Sequence, residues 1–353
     1  MGIKTAIIGY GGMGRFHAQQ IKTIDCLTII GAYDINKDKL SFVKEDGYTA
    51  YDTLEACLND RDIQLVIIAT PNNFHKELSI KALQAGKHVL CEKPAMMNAE
   101  ELREVFEVAN KEHKIFTVHQ NRRFDKDFAI VKKALEAEII GRPFYIESRV
   151  QGSRGVPGDW RCVKEAGGGM LLDWGVHLLD QILQLVDSNI SELYAHLLSV
   201  KFPGVDDNFK IMIKFENGTS VLVEVDTYTF IPLPRWHIST DNGTMVINDW
   251  DCNGKIVKAN LVEFRWEDGI VYTSAGPTKT MAPRPLETIE ELPLPQVITD
   301  CRDFYAILAE AITNGTEPMV TQKQAIRLMK VLDAVFESST SGQCIKGVDE
   351  YEK

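Results

Sequence analysis

Over the first 120 or so residues, short apolar runs at 4–9, 28–34, 64–70, 88–92 and 115–119 alternate with longer amphipathic stretches at 14–24, 37–45, 75–85 and 99–113. Runs that are apolar throughout and bounded by Gly, Asp or Pro suit strands buried on both faces, and amphipathic crossovers make such strands parallel. The pattern predicts repeated βαβ units, hence an α/β fold with a doubly wound parallel sheet covered by helices on both sides.

The periodicity changes near 121–125. Phe209, Ile211, Ile213 and Phe215 alternate with Lys210, Met212 and Lys214, and Val221, Val223 and Val225 continue the alternation beyond Asn217-Gly218. Period two around an Asn-Gly turn predicts an antiparallel hairpin with one face buried. Further strands are expected at 144–151, 193–202, 235–240, 244–249 and 256–265. Segment 274–295 holds five prolines and reads as a long irregular connection. Two helices should follow it. The second starts at a Thr321/Gln324 capping box and lines up Ala325, Leu328, Met329, Leu332, Val335 and Phe336 on one face. The expected domains are 1–122 and 123–353.

Composition narrows the function classes. With 44% hydrophobic and 25% charged residues over 353 positions, the chain should fold and stay soluble. A net charge of -11 disfavours nucleic acid and anionic membranes as partners. Seven scattered cysteines without a C-x-x-C pair suggest neither a disulfide framework nor a zinc site, so a cytoplasmic location is expected. No apolar run reaches the roughly 20 residues of a membrane span.

The first apolar run leads into Gly9-Tyr10-Gly11-Gly12-Met13-Gly14, a G-x-G-x-x-G between a strand and a helix. The first glycine allows the tight turn, the second lets backbone approach a pyrophosphate, and the third permits close packing. The helix N-terminus then offers N–H groups and a positive dipole end to phosphates. Asp34 closes the second apolar run 20 residues after Gly14, where ribose hydroxyls need an acceptor. A carboxylate there repels a 2′-phosphate, so NAD is expected over NADP. The alternatives are that Asp34 only caps a turn, or that Lys37 or Lys39 accommodates the extra phosphate.

Two more apolar runs end on the same rim. Thr70-Pro71-Asn72-Asn73-Phe74-His75 brings amides and an imidazole, with Asn72 the better cofactor contact and His75 equally suited to capping the next helix. The run from His88 ends in Glu92-Lys93-Pro94, and Pro94 restricts Lys93 to extended conformations. In the second half, the glycines 167–169 precede Asp173, His177 and Asp180, whose spacings of four and three place them on one helix face. Alone, such an Asp–His pair is more often structural. Facing Lys93, it can make an acid–base cleft.

The Gly9/Gly11/Gly14 turn, Glu92-Lys93-Pro94 and the 167–180 segment together resemble the Gfo/Idh/MocA family, as do Asn121-Arg122-Arg123-Phe124-Asp125 and the final amphipathic helix. That resemblance implies a Rossmann domain followed by a C-terminal α/β domain with a large open, mostly antiparallel sheet that often mediates dimers or tetramers. It implies NAD(P)-dependent redox chemistry on sugars or cyclitols, with Lys93, Asp173 and His177 at the catalytic positions. His177 would take the proton of a secondary alcohol, Lys93 would bind the same oxygen, and Asp173 would orient His177 or bind a neighbouring hydroxyl. Trp160 and Arg161 resemble a segment near the nicotinamide. Arg154 and Asp159 become candidates for substrate, and Arg122 for substrate or for tying the domains together. His17 and His237 read as packing residues. No metal is required, since positioned donors can stabilise an oxyanion. The expected function is an NAD-dependent dehydrogenase acting on a ring hydroxyl of an inositol, sugar or glycoside, as a homo-oligomer. The alternatives are a glycoside-processing enzyme that uses bound NAD for transient C3 oxidation and elimination, and a non-enzymatic NAD-sensing regulator.

Overall fold

A computed structural model of the protein describes residues 2–260, 269–279 and 282–349. The first half runs β1 (Ile3–Ile8), α1 (Gly12–Ile21), β2 (Leu27–Tyr33), α2 (Lys37–Glu45), β3 (Thr49–Ala50), α3 (Leu54–Asn59), β4 (Leu65–Ile68), α4 (His75–Gln84), β5 (His88–Cys91), α5 (Ala99–Lys111) and β6 (Phe116–Val118). The strands form one sheet in the order β3-β2-β1-β4-β5-β6, and its paired strands are all parallel. Every residue of β4 is buried, which is why that segment is apolar without alternation. The helices start where side chains accept the first free N–H groups, from Asn36 for α2, Thr53 for α3 and Asn98 for α5. Two short elements, β3 and α3, were not anticipated, because two and six residues are too few to show a period.

The second half continues through α6 (Lys126–Glu136), β7 (Pro143–Gln151), a π-helical turn at Leu171–Gly175, α7 (Val176–Leu185), β8 (Ile190–Leu198), β9 (Asn208–Phe215), β10 (Ser220–Asp226), β11 (Trp236–Thr240), β12 (Gly243–Ile247), β13 (Gly254–Ala259), β14 (Val271–Thr273), β15 (Gly276–Thr278), β16 (Ile289–Leu292), α8 (Asp303–Asn314), α9 (Gln322–Ser341) and β17 (Ile345–Lys346). Nine of these strands form a second sheet, β16-β13-β12-β11-β7-β10-β9-β8-β17, antiparallel except for the β7–β10 pair. In the β9–β10 hairpin Ile213 faces Val221, Ile211 faces Val223 and Phe209 faces Val225, all buried, while Lys210, Met212 and Lys214 are exposed. Alternation thus reports one covered face.

Three expectations need correction. The 274–295 connection contains β16, which extends the sheet by pairing with β13. A proline-rich segment suits this edge, where missing N–H donors cost nothing. The strand expected at 193–202 lies earlier, at Ile190–Leu198, and the one at 256–265 ends at Ala259, its remainder from 261 lying outside the described residues. Helix α6 went unread, although its apolar face of Phe128, Ile130, Val131 and Ala134 is buried.

The last two helices close back onto the first half. Thr117 donates its hydroxyl to the Val320 carbonyl at 2.9 Å, and the Ala99 N–H meets the Asp333 carboxylate at 3.0 Å. Helix α9 begins with the full Thr321/Gln324 capping box and ends against β8, where Ser338 accepts the Ala195 N–H at 2.9 Å. Among the described residues no helix is long and apolar enough to cross a membrane.

Candidate active site

The chain leaves β1 for β2 on one side and returns to β4 on the other, so a crevice opens at the carboxyl ends of β1 and β4. The glycine turn fills it for three separate reasons. Gly9 adopts φ +92°, and a Cβ there would come within 2.5 Å of the Ala69 carbonyl oxygen. A Cβ on Gly14 would strike the Gly9 carbonyl. A Cβ on Gly11, by contrast, would meet nothing within 4 Å. Gly9 and Gly14 serve the fold, and Gly11 keeps the backbone bare toward the crevice.

The crevice is a cavity of about 820 Å³, within the range of cofactor sites. Its walls include Gly9, Gly11, Gly12 and Met13, then Asp34, Thr70 and Asn72, then Glu92 and Lys93, and from the second half Asp159, Trp160 and Arg161. The Thr70 hydroxyl is buried without a partner, and the open face of Gly11 leaves main chain free for a pyrophosphate; both suit a dinucleotide. Asp34 accepts the Tyr10 N–H at 2.7 Å and the Asn36 N–H at 2.8 Å, so it braces the glycine turn while lining the cavity.

His75 is not in these walls. It is fully buried, with one ring nitrogen 3.0 Å from the Thr70 carbonyl and the other 2.9 Å from the Pro94 carbonyl, linking the two rim segments from below. Burial lowers its pKa and favours the neutral ring. Asn72 reaches across instead, donating to the Gly167 carbonyl at 2.8 Å. That contact joins the rim to the glycine run of the second half. Asp159, a candidate for substrate, lies in the nucleotide cavity, where it pairs with Arg161 at 2.8 Å.

Lys93 meets Asp173 across the two halves. Its ammonium donates to the Asp173 main-chain carbonyl at 2.8 Å and to the carboxylate at 3.0 Å. The other carboxylate oxygen lies 3.2 Å from Arg161 Nε. Burial alone would raise the Asp173 pKa, but the two cations outweigh it and keep the group ionised. The π-helical turn carries Asp173, and Asp206 holds its start by accepting the Leu171 N–H at 2.6 Å.

His177 follows one turn later and is 4% exposed, its ring edge-on to Trp174 with centroids 6.2 Å apart. It is absent from the walls of both cavities described here, and its Nδ1 has no partner. Burial, then Lys93 and Arg122, hold its pKa well below the usual histidine range, so the ring is neutral at neutral pH. Asp180 does not join this group. Its carboxylate is bound bidentately by Arg123 at 2.7 and 2.8 Å, and Arg123 also reaches the Met319 carbonyl and Gln324. Asp180 lies in α7 with His177, and its partner is Arg123 rather than Lys93.

A second cavity, of about 590 Å³, begins at Asp173. Trp174 and Trp250 form part of its wall with ring centroids 5.7 Å apart, and the Arg122 guanidinium stacks 3.9 Å over Trp174. Arg122 also pairs with Asp125 at 3.0 Å. Arg154 and Asp226 line the same space. Trp250 was not anticipated, since nothing near it in sequence resembles a motif.

The sequence reading also missed what surrounds Glu92. One carboxylate oxygen sits 2.9 Å from His17 Nε2 and 2.7 Å from His119 Nδ1, and His17 Nδ1 lies 2.8 Å from the Tyr305 hydroxyl on α8. His17 is therefore part of a buried polar cluster. The ends of β5 and β6, adjacent in the sheet, were the available signal for His119.

Residues 3–120 match the Gfo/Idh/MocA oxidoreductase family with its NAD-binding Rossmann fold, and residues 128–246 match the family's C-terminal domain. The chain belongs to the Gfo/Idh/MocA oxidoreductase family. Within that NAD-binding family, the crystal structure of an NAD-binding protein from Listeria innocua is 43% identical with a TM-score of 0.94, covering 98% of this chain and 99% of that one. The myo-inositol 2-dehydrogenase of Thermotoga maritima is 30% identical over 63% of this chain and 68% of its own length. The scyllo-inositol 2-dehydrogenase (NADP(+)) of Bacillus subtilis is 27% identical over 97% of this chain and 95% of its own length.

Proposed function

We propose that this Gfo/Idh/MocA oxidoreductase oxidises a secondary ring hydroxyl of a cyclitol, sugar or glycoside, with NAD preferred over NADP. The observation that carries the reading is the Lys93–Asp173 contact at the seam between the nucleotide cavity and the second cavity. NAD, when bound, accepts the carbinol hydride on its nicotinamide ring. Lys93 binds the hydroxyl oxygen and stabilises the negative charge that grows on it as the proton leaves. His177, buried and outside the walls of both cavities, is assigned that proton through its unpartnered Nδ1. Asp173 holds the Lys93 ammonium in place and accepts from a neighbouring hydroxyl. The paired Trp174 and Trp250 rings suit the apolar face of a ring polyol, and Arg154, Asp173 and Asp226 suit its hydroxyls. Two of the relatives above are inositol dehydrogenases, which supports the substrate class.

The NAD preference rests on Asp34, whose carboxylate opposes a 2′-phosphate; the NADP(+)-linked relative makes this a point to measure. A panel of inositols, monosaccharides and glycosides followed by NADH absorbance tests the reaction. Turnover with release of NADH and a ketone supports it, and near-normal turnover in Lys93→Ala or His177→Ala refutes the assigned roles. Hydrolysis of a glycoside without net NADH, with solvent deuterium at C2, marks the redox-neutral alternative. The observation on the side of that alternative is the Asn72–Gly167 bond, which ties the rim of the nucleotide cavity to the second half.

A further inference from the structure

The cluster around Glu92 sets an electrostatic condition at one end of the nucleotide cavity. Strands β2 and β5 stand three spacings apart in the sheet, about 14 Å at the usual strand separation. With the adenosine ribose at Asp34 after β2, an extended dinucleotide reaches its nicotinamide end near Glu92 and Lys93 after β5.

The charges there are unevenly matched. Lys93 and Arg161 both face Asp173, and Arg161 faces Asp159 as well. Among the described residues Glu92, 5% exposed, receives no lysine or arginine side chain. Its donors are the His17 and His119 rings and the Lys93 main-chain N–H at 3.2 Å.

Both rings face the same Glu92 carboxylate oxygen, and the far nitrogen of His17, Nδ1, lies 2.8 Å from the Tyr305 hydroxyl. His119 Nε2 is buried with no acceptor, a costly place for an N–H. Burial favours neutral His17, while attraction to His119 and then the hydrogen bonds from both rings keep Glu92 ionised against its own desolvation. His17, Glu92 and His119 could in principle surround an ion. Their nitrogen–oxygen separations of 2.7 and 2.9 Å are those of direct hydrogen bonds.

A buried carboxylate whose side-chain partners are two imidazoles has no permanent counter-cation, and the oxidised nicotinamide ring is a cation while the reduced ring is neutral. We propose that Glu92 is the fixed counter-charge of the oxidised nicotinamide, so that this site favours NAD+ over NADH. His17, His119 and Tyr305 act as positioning residues for that charge. The proposal rests on dinucleotide binding in this cavity and deepens it.

The test is isothermal titration of the full chain with NAD+ and with NADH, for the unmodified protein, E92Q and E92D. E92Q keeps the acceptor oxygen and loses the charge, and it should shift the ratio of the two dissociation constants about tenfold toward NADH. E92D should keep the original ratio, even if both affinities fall. A measurement without variants uses benzamide adenine dinucleotide, whose ring is aromatic but uncharged. The unmodified protein should bind it about tenfold more weakly than NAD+. An unchanged ratio in E92Q, or equal binding of NAD+ and the uncharged analogue, overturns the counter-charge role while leaving the cofactor site intact. Binding of no dinucleotide at all overturns both.

Discussion

At its glycine turn the nucleotide cavity presents bare main chain, whereas the second cavity is lined by Arg122, Arg154, Asp173, Trp174, Asp226 and Trp250 from several elements. A space bounded by backbone admits whatever shares the shape of a dinucleotide. A space bounded by side chains can change its guest by exchanging a few of them. One fold can thus keep its cofactor and vary its substrate.

The strongest way to break this division is at the seam. Lys93→Ala removes the ammonium that touches Asp173, and kcat should fall by roughly 10²–10⁴-fold while NAD affinity, followed by titration, is retained. A loss of NAD binding of the same size would mean that Lys93 belongs to the cofactor side alone.

Within the nucleotide cavity, one added carbon separates fold from binding. Gly9→Ala forces a Cβ against the Ala69 carbonyl at positive φ and should destabilise by roughly 2–3 kcal/mol in denaturant unfolding. Gly11→Ala meets no atom, so its unfolding midpoint should stay put while NAD affinity drops. Equal destabilisation by both would end the distinction.

Smaller effects sharpen the contrast. Asp34→Asn keeps an acceptor for the Tyr10 N–H but removes the charge, and discrimination against NADP should weaken by about tenfold. Trp250→Ala should raise the substrate KM by roughly three- to tenfold without altering NAD affinity.

The mildest expected effect is on stability against pH. Burial lowers the pKa of both His75 and His177, so the unfolded chain binds more protons than the folded one below about pH 6.5. Stability should therefore decline as pH falls through that window toward the folded values. Calorimetric melts at about pH 5 and about pH 7.5 test this, and a flat profile would contradict neutral buried rings.

Sequence reading located the residues that lie close to a strand end. The glycine turn, Asp34 and Glu92-Lys93 each lie within a few residues of a strand end, so periodicity alone placed them on one rim. Asp173 was legible from the glycine run before it. Asp180 was misassigned because its partner, Arg123, comes from the turn at Asn121–Phe124, which helical spacing does not reveal. Tyr305, Trp250 and the Asp206 brace belong to other elements, and only packing brings them near Glu92, Trp174 and Leu171. His177 was expected in a shared cleft and is buried beside Trp174.

The π turn at Leu171–Gly175 is equivalent to one residue inserted into a helix. Deleting a residue from it would turn an i→i+5 turn back into an i→i+4 one, leaving α7 beyond it near its present phase and rearranging the turn itself. Asp180 would then keep its hold on Arg123, and the change would fall on the contact of Asp173 with Lys93. The local count of residues is as much a determinant of the site as their identity, and a length change there should be tolerated less well than most substitutions.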